Sequence, residues 1–261
     1  MIKKLFLYST SCLLIFAACT KEKNITGPQD KSYALLSITN ANASGKAIDV
    51  FIDQNKINNA TFISPNANVT GTFIGVTPGN HAMIIRDTAQ ASIIQYYSGS
   101  LNLTGGSSYS FFLYDTLTAG SFKGILLNTD RTPDANPLNA KVRFLNLSPK
   151  SPLLDFVLVR RENSVFKDSV VLYTSVPYLG NVAAPDVPSL SAYKSVLANA
   201  GAGATSPTSG VTDYIARVKL AGFPNAFVAS TVVISIIPGK NYTFYARGIY
   251  PTVTITSFVN N

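Results

Sequence analysis

The chain has 261 residues, 46% hydrophobic and only 13% charged, with a formal net charge of +8. Disorder needs few apolar residues and many charges, so this mix excludes it. The two cysteines, Cys12 and Cys19, both lie before residue 20. A disulfide-stapled fold, cysteine catalysis and cysteine-ligated zinc are therefore excluded for the rest of the chain.

At the amino terminus, Met1-Ile2-Lys3-Lys4 precedes an apolar run from Leu5 to Phe16, and Ala17-Ala18-Cys19 follows. Two lysines, about 12 apolar residues and then small residues predict a signal peptide over 1–18. The run is too short for a bilayer span, which needs about 20 apolar residues. Phe16-Ala17-Ala18-Cys19 resembles a bacterial lipobox, with Phe where Leu is usual. That resemblance implies that Cys19 becomes the first mature residue and carries the lipid, while Cys12 is discarded. Residues 19–32 are polar and broken by Gly27-Pro28, as a flexible tether would be. The expected membrane partner is thus reached by a lipid anchor. The expected location is the cell envelope, as an outer-membrane lipoprotein. Only Glu22 stands close to Cys19 as an acidic residue, which leaves the periplasmic and surface sides both open.

The body reads as two copies of one β unit. Leu35-Leu36-Ser37-Ile38-Thr39-Asn40 leads to Asp49, and Val142-Arg143-Phe144-Leu145-Asn146 leads to Asp155. Both pairs, Asn40 with Asn146 and Asp49 with Asp155, share one offset (146 − 40 and 155 − 49). Near the end of each copy, Gly105-Gly106-Ser107-Ser108-Tyr109-Ser110-Phe111 lines up with Pro238-Gly239-Lys240-Asn241-Tyr242-Thr243-Phe244 at a larger offset (242 − 109). The second copy therefore holds an insertion, for which breaker-rich Ala198–Gly210 is the obvious place. Just before it, Leu190, Tyr193, Val196 and Leu197 have the spacing of a short helix. Elsewhere the apolar period is two, as in strands, and turns recur every 8–12 residues or so, as in sandwiches. The expected organisation is all-β: two tandem antiparallel β-sandwich domains over 33–130 and 140–261, joined by a linker over 131–139.

Val142-Arg143-Phe144-Leu145-Asn146-Leu147-Ser148-Pro149 followed by Leu154-Asp155-Phe156-Val157 resembles the opening of the domain of unknown function 4397 family. Val76-Thr77-Pro78-Gly79 and Val187-Pro188 resemble its later turn. The first copy departs at its first turn, where Asn42-Ala43-Ser44-Gly45 lacks the proline. The resemblance implies Ig-like sandwiches in bacterial cell-envelope lipoproteins of Bacteroidetes type. It implies no activity.

Few residues could do chemistry. His81 is the only imidazole and aligns with Tyr214 of the second copy, so a half-buried polar strand residue is the expectation. No Gly-x-Ser-x-Gly elbow supplies a nucleophile. Asp49 and Asp53, taken as one strand face, would stand ~13 Å apart, too far for a glycosidase pair. Asp49 and Asp155, with Asn40 and Asn146, are expected to be repeat-equivalent structural residues, the carboxylates bonding turn amides near the asparagines. No metal-ligand spacing occurs, and no cofactor is expected. The basic residues are scattered, so no nucleic-acid partner is expected. Asp87-Thr88-Ala89, Asp115-Thr116-Leu117 and Asp168-Ser169-Val170 match the O-glycosylation pattern of the Bacteroidetes, making Thr88, Thr116 and Ser169 candidate acceptors, all expected to be exposed.

The resulting expectation is a non-catalytic surface protein for binding, adhesion or scaffolding, with a glycan or protein ligand. Its contacts would come from sandwich-end loops and from tyrosines such as Tyr96, Tyr97, Tyr245 and Tyr250. The competing expectations are a pilus-like structural subunit and a glycan-handling protein or hydrolase with an unrecognised carboxylate site.

Overall fold

A computed structural model describes residues 32–58, 73–87, 94–118, 120–183, 186–198, 212–231 and 233–260. The first half holds β1 (Ala34–Asn40), β2 (Asp49–Ile52), β3 (Asn55–Lys56), β4 (Ile74–Val76), β5 (Gly79–Asp87), β6 (Ile94–Leu103), β7 (Ser108–Thr118) and β8 (Ser121–Asn128). The second holds β9 (Asn139–Asn146), β10 (Leu154–Glu162), β11 (Val165–Val176), β12 (Lys194–Leu197), β13 (Thr212–Leu220), β14 (Phe227–Ser230), β15 (Asn241–Arg247) and β16 (Thr254–Val259). Helix among the described residues is confined to a 3-10 turn, Leu179–Asn181, and to α1, Val187–Leu190, where Pro188 sits in the first turn. The helix read from Leu190 to Leu197 is not formed. Lys194–Leu197 instead pairs with β9, which buries Val196 against Ala140.

The strand orders are β4-β1-β7-β8 and β3-β2-β5-β6 in the first half, β12-β9-β15-β16 and β11-β10-β13-β14 in the second. Each second-half strand occupies the place of the strand eight earlier, so the repeat is one of topology. The sheets are not wholly antiparallel. β1 runs parallel to β7 and β9 parallel to β15. A parallel partner needs a long crossover. Here the strands between β1 and β7 supply it.

The two halves differ most in their first hairpin. Asp53 and Gln54 form its turn in the first half, and Asn163 and Ser164 in the second, all at positive φ as a tight hairpin turn requires. Asp53 is thus a turn residue rather than a strand partner of Asp49, and its counterpart is Asn163. The second hairpin is longer, and its outer strand β11 has 12 residues. Part of the insertion therefore lies here, while 199–211 falls outside the described residues. β11 is an edge strand, but Lys167 and three breaks of register interrupt it. Both features blunt an edge against pairing.

Three apolar clusters stack through the molecule. One lies between the two sheets of the first half and includes Leu36, Ile38, Val50, Met83 and Phe111. Another lies between the sheets of the second half, where Phe144 stacks on Phe156 with ring centroids 4.7 Å apart. The third joins the halves: Phe112, Tyr114 and Leu127 pack on Leu145, Tyr178 and Tyr245. β1 and β7 of one half and β9 and β15 of the other therefore bury both faces, which sets four sheets in layers.

Arg143 closes one side of this third core. Its side chain is fully buried. Nε donates to Thr243 Oγ1 at 2.8 Å, Nη1 to the Asn128 carbonyl at 2.9 Å and Nη2 to Thr129 Oγ1 at 3.3 Å. The guanidinium also lies over the Tyr193 ring, 5.0 Å from its centroid. Burial holds its pKa below the ordinary arginine value. Nearby, Asn241 Nδ2 donates to the carbonyls of Asp130 and Thr132, and Lys141 pairs with Asp130 at 2.6 Å.

Candidate functional site

The repeat-equivalent residues brace turns. Asn40 Oδ1 accepts from the Asn42 backbone and Asn146 Oδ1 from the Ser148 backbone, the same Asx turn two residues on. Asp49 is fully buried, accepts from Asn58 Nδ2 at 2.7 Å and pairs with Lys56 at 2.9 Å. Asp155 accepts from the Ser175 backbone at 2.8 Å, with Lys219 at 3.7 Å. The carboxylates thus bond the segments that follow in the neighbouring strand, while backbone amides near Asn40 and Asn146 lie within reach of the asparagines. The asparagines, already at the strand ends, meet those amides themselves. Tyr109 and Tyr242 repeat a further device, each hydroxyl accepting a backbone N–H from five residues upstream.

His81 is buried on β5, with Nδ1 2.6 Å from Asp53 Oδ2 and Nε2 2.7 Å from the Thr77 carbonyl. Both neighbours are acceptors, so the ring fits best with both nitrogens protonated. No ring nitrogen is left to serve as a base. The Asp53 hydrogen bond raises the His81 pKa, and the same bond lowers that of Asp53. The raised His81 value adds stability that is complete below its ordinary 6.5 and is lost as pH rises through the folded value. The lowered Asp53 value adds stability present above 3.8 and lost as pH falls through the depressed value. As pH rises above the ordinary 6.5 the chain should therefore lose melting temperature, and His81→Phe should flatten that slope. Thermal melts at rising pH check it, and since His81 is the only histidine, an unchanged slope in the variant would refute the assignment.

The tyrosines expected to meet sugars are packing residues. Tyr96 and Tyr245 are buried and Tyr97 and Tyr250 half-buried. Tyr96 meets Phe122 edge-on, Tyr97 meets Phe111, and Tyr245 meets Phe112. Burial pushes the Tyr245 hydroxyl up to about 12. Of the candidate acceptors, Ser169 is exposed on β11, while Thr116 is half-buried with its backbone N–H on Asp115. Thr88 and Cys19 lie outside the described residues. Among the described residues no group of three or more His, Cys, Asp or Glu side chains could hold a metal, and no helix is long and apolar enough to cross a membrane.

Exposed apolar residues gather instead in two places, along β11 at Val165, Phe166, Val170 and Val171, and on the loops at one end of the second half. Three loops meet there: 147–153, 221–226 and 248–253. The Ala221 N–H donates to the Leu153 carbonyl at 3.0 Å, and the Tyr250 N–H to the Pro149 carbonyl at 3.2 Å. Ser148 Oγ donates to the Gly248 carbonyl at 2.6 Å. Gly222, at φ +79°, lets the middle loop turn back directly after β13. On this braced frame Phe223 is 61% exposed, Leu153 48% and Ile249 38%. Phe227 is also exposed, under the guanidinium of Arg217. A second concave feature, a cavity of about 500 Å³, runs along the seam between the halves. Period-two reading missed Phe223 because it falls in a turn; the available signal was an aromatic inside Gly222-Phe223-Pro224-Asn225, where a turn is ordinarily polar.

Among solved structures, the chain is similar to a candidate cell adhesion protein from Bacteroides uniformis, at 8% identity over 88% of this chain and 99% of that one, with TM-score 0.22. It is similar to a candidate cell adhesion protein from Bacteroides ovatus at 11% identity over 88% and 96%, with TM-score 0.21. A CBM26-family module from Eubacterium rectale in complex with maltoheptaose matches at 10% identity over 87% and 95%, with TM-score 0.22. These scores are too low to carry function across. No curated protein matches. The family model that matches is described as Domain of unknown function (DUF4397), and it spans residues 34–157. That stretch covers the whole first half and the β9–β10 opening of the second.

Proposed function

We propose that this chain is a non-catalytic, lipid-anchored protein of the bacterial cell envelope that binds an external glycan or protein. The anchor reading rests on Phe16-Ala17-Ala18-Cys19 and on the polar tether that follows it. The observation that carries the binding reading is Phe223, 61% exposed on a loop whose neighbours are held by backbone hydrogen bonds. A rigid exposed aromatic loses little entropy on binding, which is why such residues anchor interfaces. Leu153 and Ile249 extend the apolar surface around it. The non-catalytic reading is supported by His81, whose two nitrogens are both engaged, and by buried Asp49 and Asp155, each committed to structural partners.

Glycan arrays and plates coated with matrix proteins, probed with the chain and with Phe223→Ala, test this reading. A specific hit weakened at least tenfold by the substitution is expected, the size of an interface anchor. A hit insensitive to Phe223→Ala would place binding elsewhere, and an array with no hit would count against the whole reading.

A further inference from the structure

β8 has an open side, and the register shows what that side presents. Among the described residues β8 pairs with β7 alone, in unbroken register from Tyr109↔Asn128 to Tyr114↔Lys123. The Thr129 N–H donates to the Ser108 carbonyl at 2.8 Å, which fixes the phase of the ladder. Alternate residues of an antiparallel strand bond to the same neighbour, so Lys123, Ile125 and Leu127 face β7 while Gly124, Leu126 and Asn128 turn their N–H and C=O groups outward. The Asn128 carbonyl agrees, since it is the one taken by Arg143. The outward groups of Gly124 and Leu126 open into the seam cavity. Its far wall is mostly apolar, with Leu179, Val182, Val187 and Pro188 beside Ser191 and Tyr193. On the core side, a Cβ at Gly124 would stand 2.4 Å from the Phe111 ring, so glycine lets β8 lie close to its own core.

We propose that this groove is a strand-addition site: an extended peptide segment of a partner protein, with alternating apolar side chains, pairs with β8 and packs against Leu179, Val182 and Val187. Amide and carbonyl groups repeating every second residue are met in full only by another extended backbone. The third core runs directly into the groove, through Leu127, Leu179 and Val187, so the added side chains would continue a layer that is already packed. The free edge runs from Lys123, whose Nζ is bonded to the Gly180 carbonyl, to Asn128, capped by Arg143. That is roughly 16 Å, the length of about five extended residues. This site is separate from the Phe223 loops.

The test uses fluorescence anisotropy with the full chain in detergent micelles and a labelled heptapeptide, Lys-Val-Thr-Val-Thr-Val-Lys. Saturable binding is expected. Methylating two alternate backbone amides of the peptide should weaken it about tenfold or more, because those donors would be lost to β8. Leu126→Pro should do the same, since it removes an outward N–H and leaves the β7 ladder whole. Val182→Asp, which places a charge in the far wall, supplies an independent loss should Leu126→Pro disturb folding. Absence of saturable binding, equal binding of the methylated peptide, or full binding by both variants would overturn the proposal. So would binding seen only after the residues before Ser32 are trimmed away, which would make the chain's own amino-terminal segment the occupant.

Discussion

Truncating Phe112 to alanine should cost about 3–5 kcal/mol, as much as emptying the centre of a protein core. Yet Phe112 belongs to neither sandwich core. It points out of β7 to the other side, where it meets Tyr245 edge-on at 5.7 Å between centroids and Phe258 at 6.0 Å. It is fully buried there. The cost has two parts, the lost transfer of the ring from water and the cavity that remains. The cavity part should be large because each flanking sheet is already held by its own core and cannot collapse inward. Urea denaturation of Phe112→Ala beside Phe156→Ala, a second-half core truncation, checks this. Comparable losses are expected. A Phe112→Ala loss below about 1 kcal/mol would mean the halves touch only loosely.

Arg143→Ala should destabilise by a similar amount, roughly 2–5 kcal/mol, for a different reason. The guanidinium serves three acceptors on two segments: Thr243 of β15, and Asn128 with Thr129 at the end of β8. Alanine would take the charged donor from the buried Thr243 and Thr129 hydroxyls, leaving them only Asn260 and Ser110, strip the Asn128 carbonyl of its cap, and open a void under Tyr193. Lysine should not rescue the position. Its ammonium is a compact, strongly hydrated charge that cannot span the fork. Arg143→Lys is therefore expected to lose at least half as much as Arg143→Ala in the same denaturation series. Near-wild-type stability of the lysine variant would show that charge, rather than the geometry of the fork, is what the site needs. The equivalent residue of the first half is Ser37, also buried, so the cation serves the joint between halves and is not a demand of the repeat.

Much of this architecture can be read from the chain. Period two finds the strands because one face of each inner strand meets its own sandwich core, as Leu36 and Ile38 do in β1 and Val142 and Phe144 in β9. The repeat is legible because Asn40 and Asn146 hold the same Asx turn. The third core escapes such a reading. Its signal is a failure of alternation: Phe111-Phe112-Leu113-Tyr114 and Phe144-Leu145 are apolar on both sides of the strand, as strands buried on both faces are. The parallel pairing of β1 with β7 is equally hidden, since alternation does not record direction. The tyrosines misled because Tyr96 and Tyr245 look like polar-tipped surface residues one at a time, and only the packed sheets show what covers them. At the candidate site the sequence points to sandwich-end loops, but which loops are braced together depends on bonds such as Ala221 to Leu153, between residues 68 apart (221 − 153).

The joining of two sandwiches into one body through a third core is tested most directly by differential scanning calorimetry of the chain. A single transition is predicted, with calorimetric and van't Hoff enthalpies in agreement, because neither half can lose its facing sheet without exposing Phe112, Leu145 and Tyr245. Two resolved transitions, each insensitive to Phe112→Ala, would contradict it.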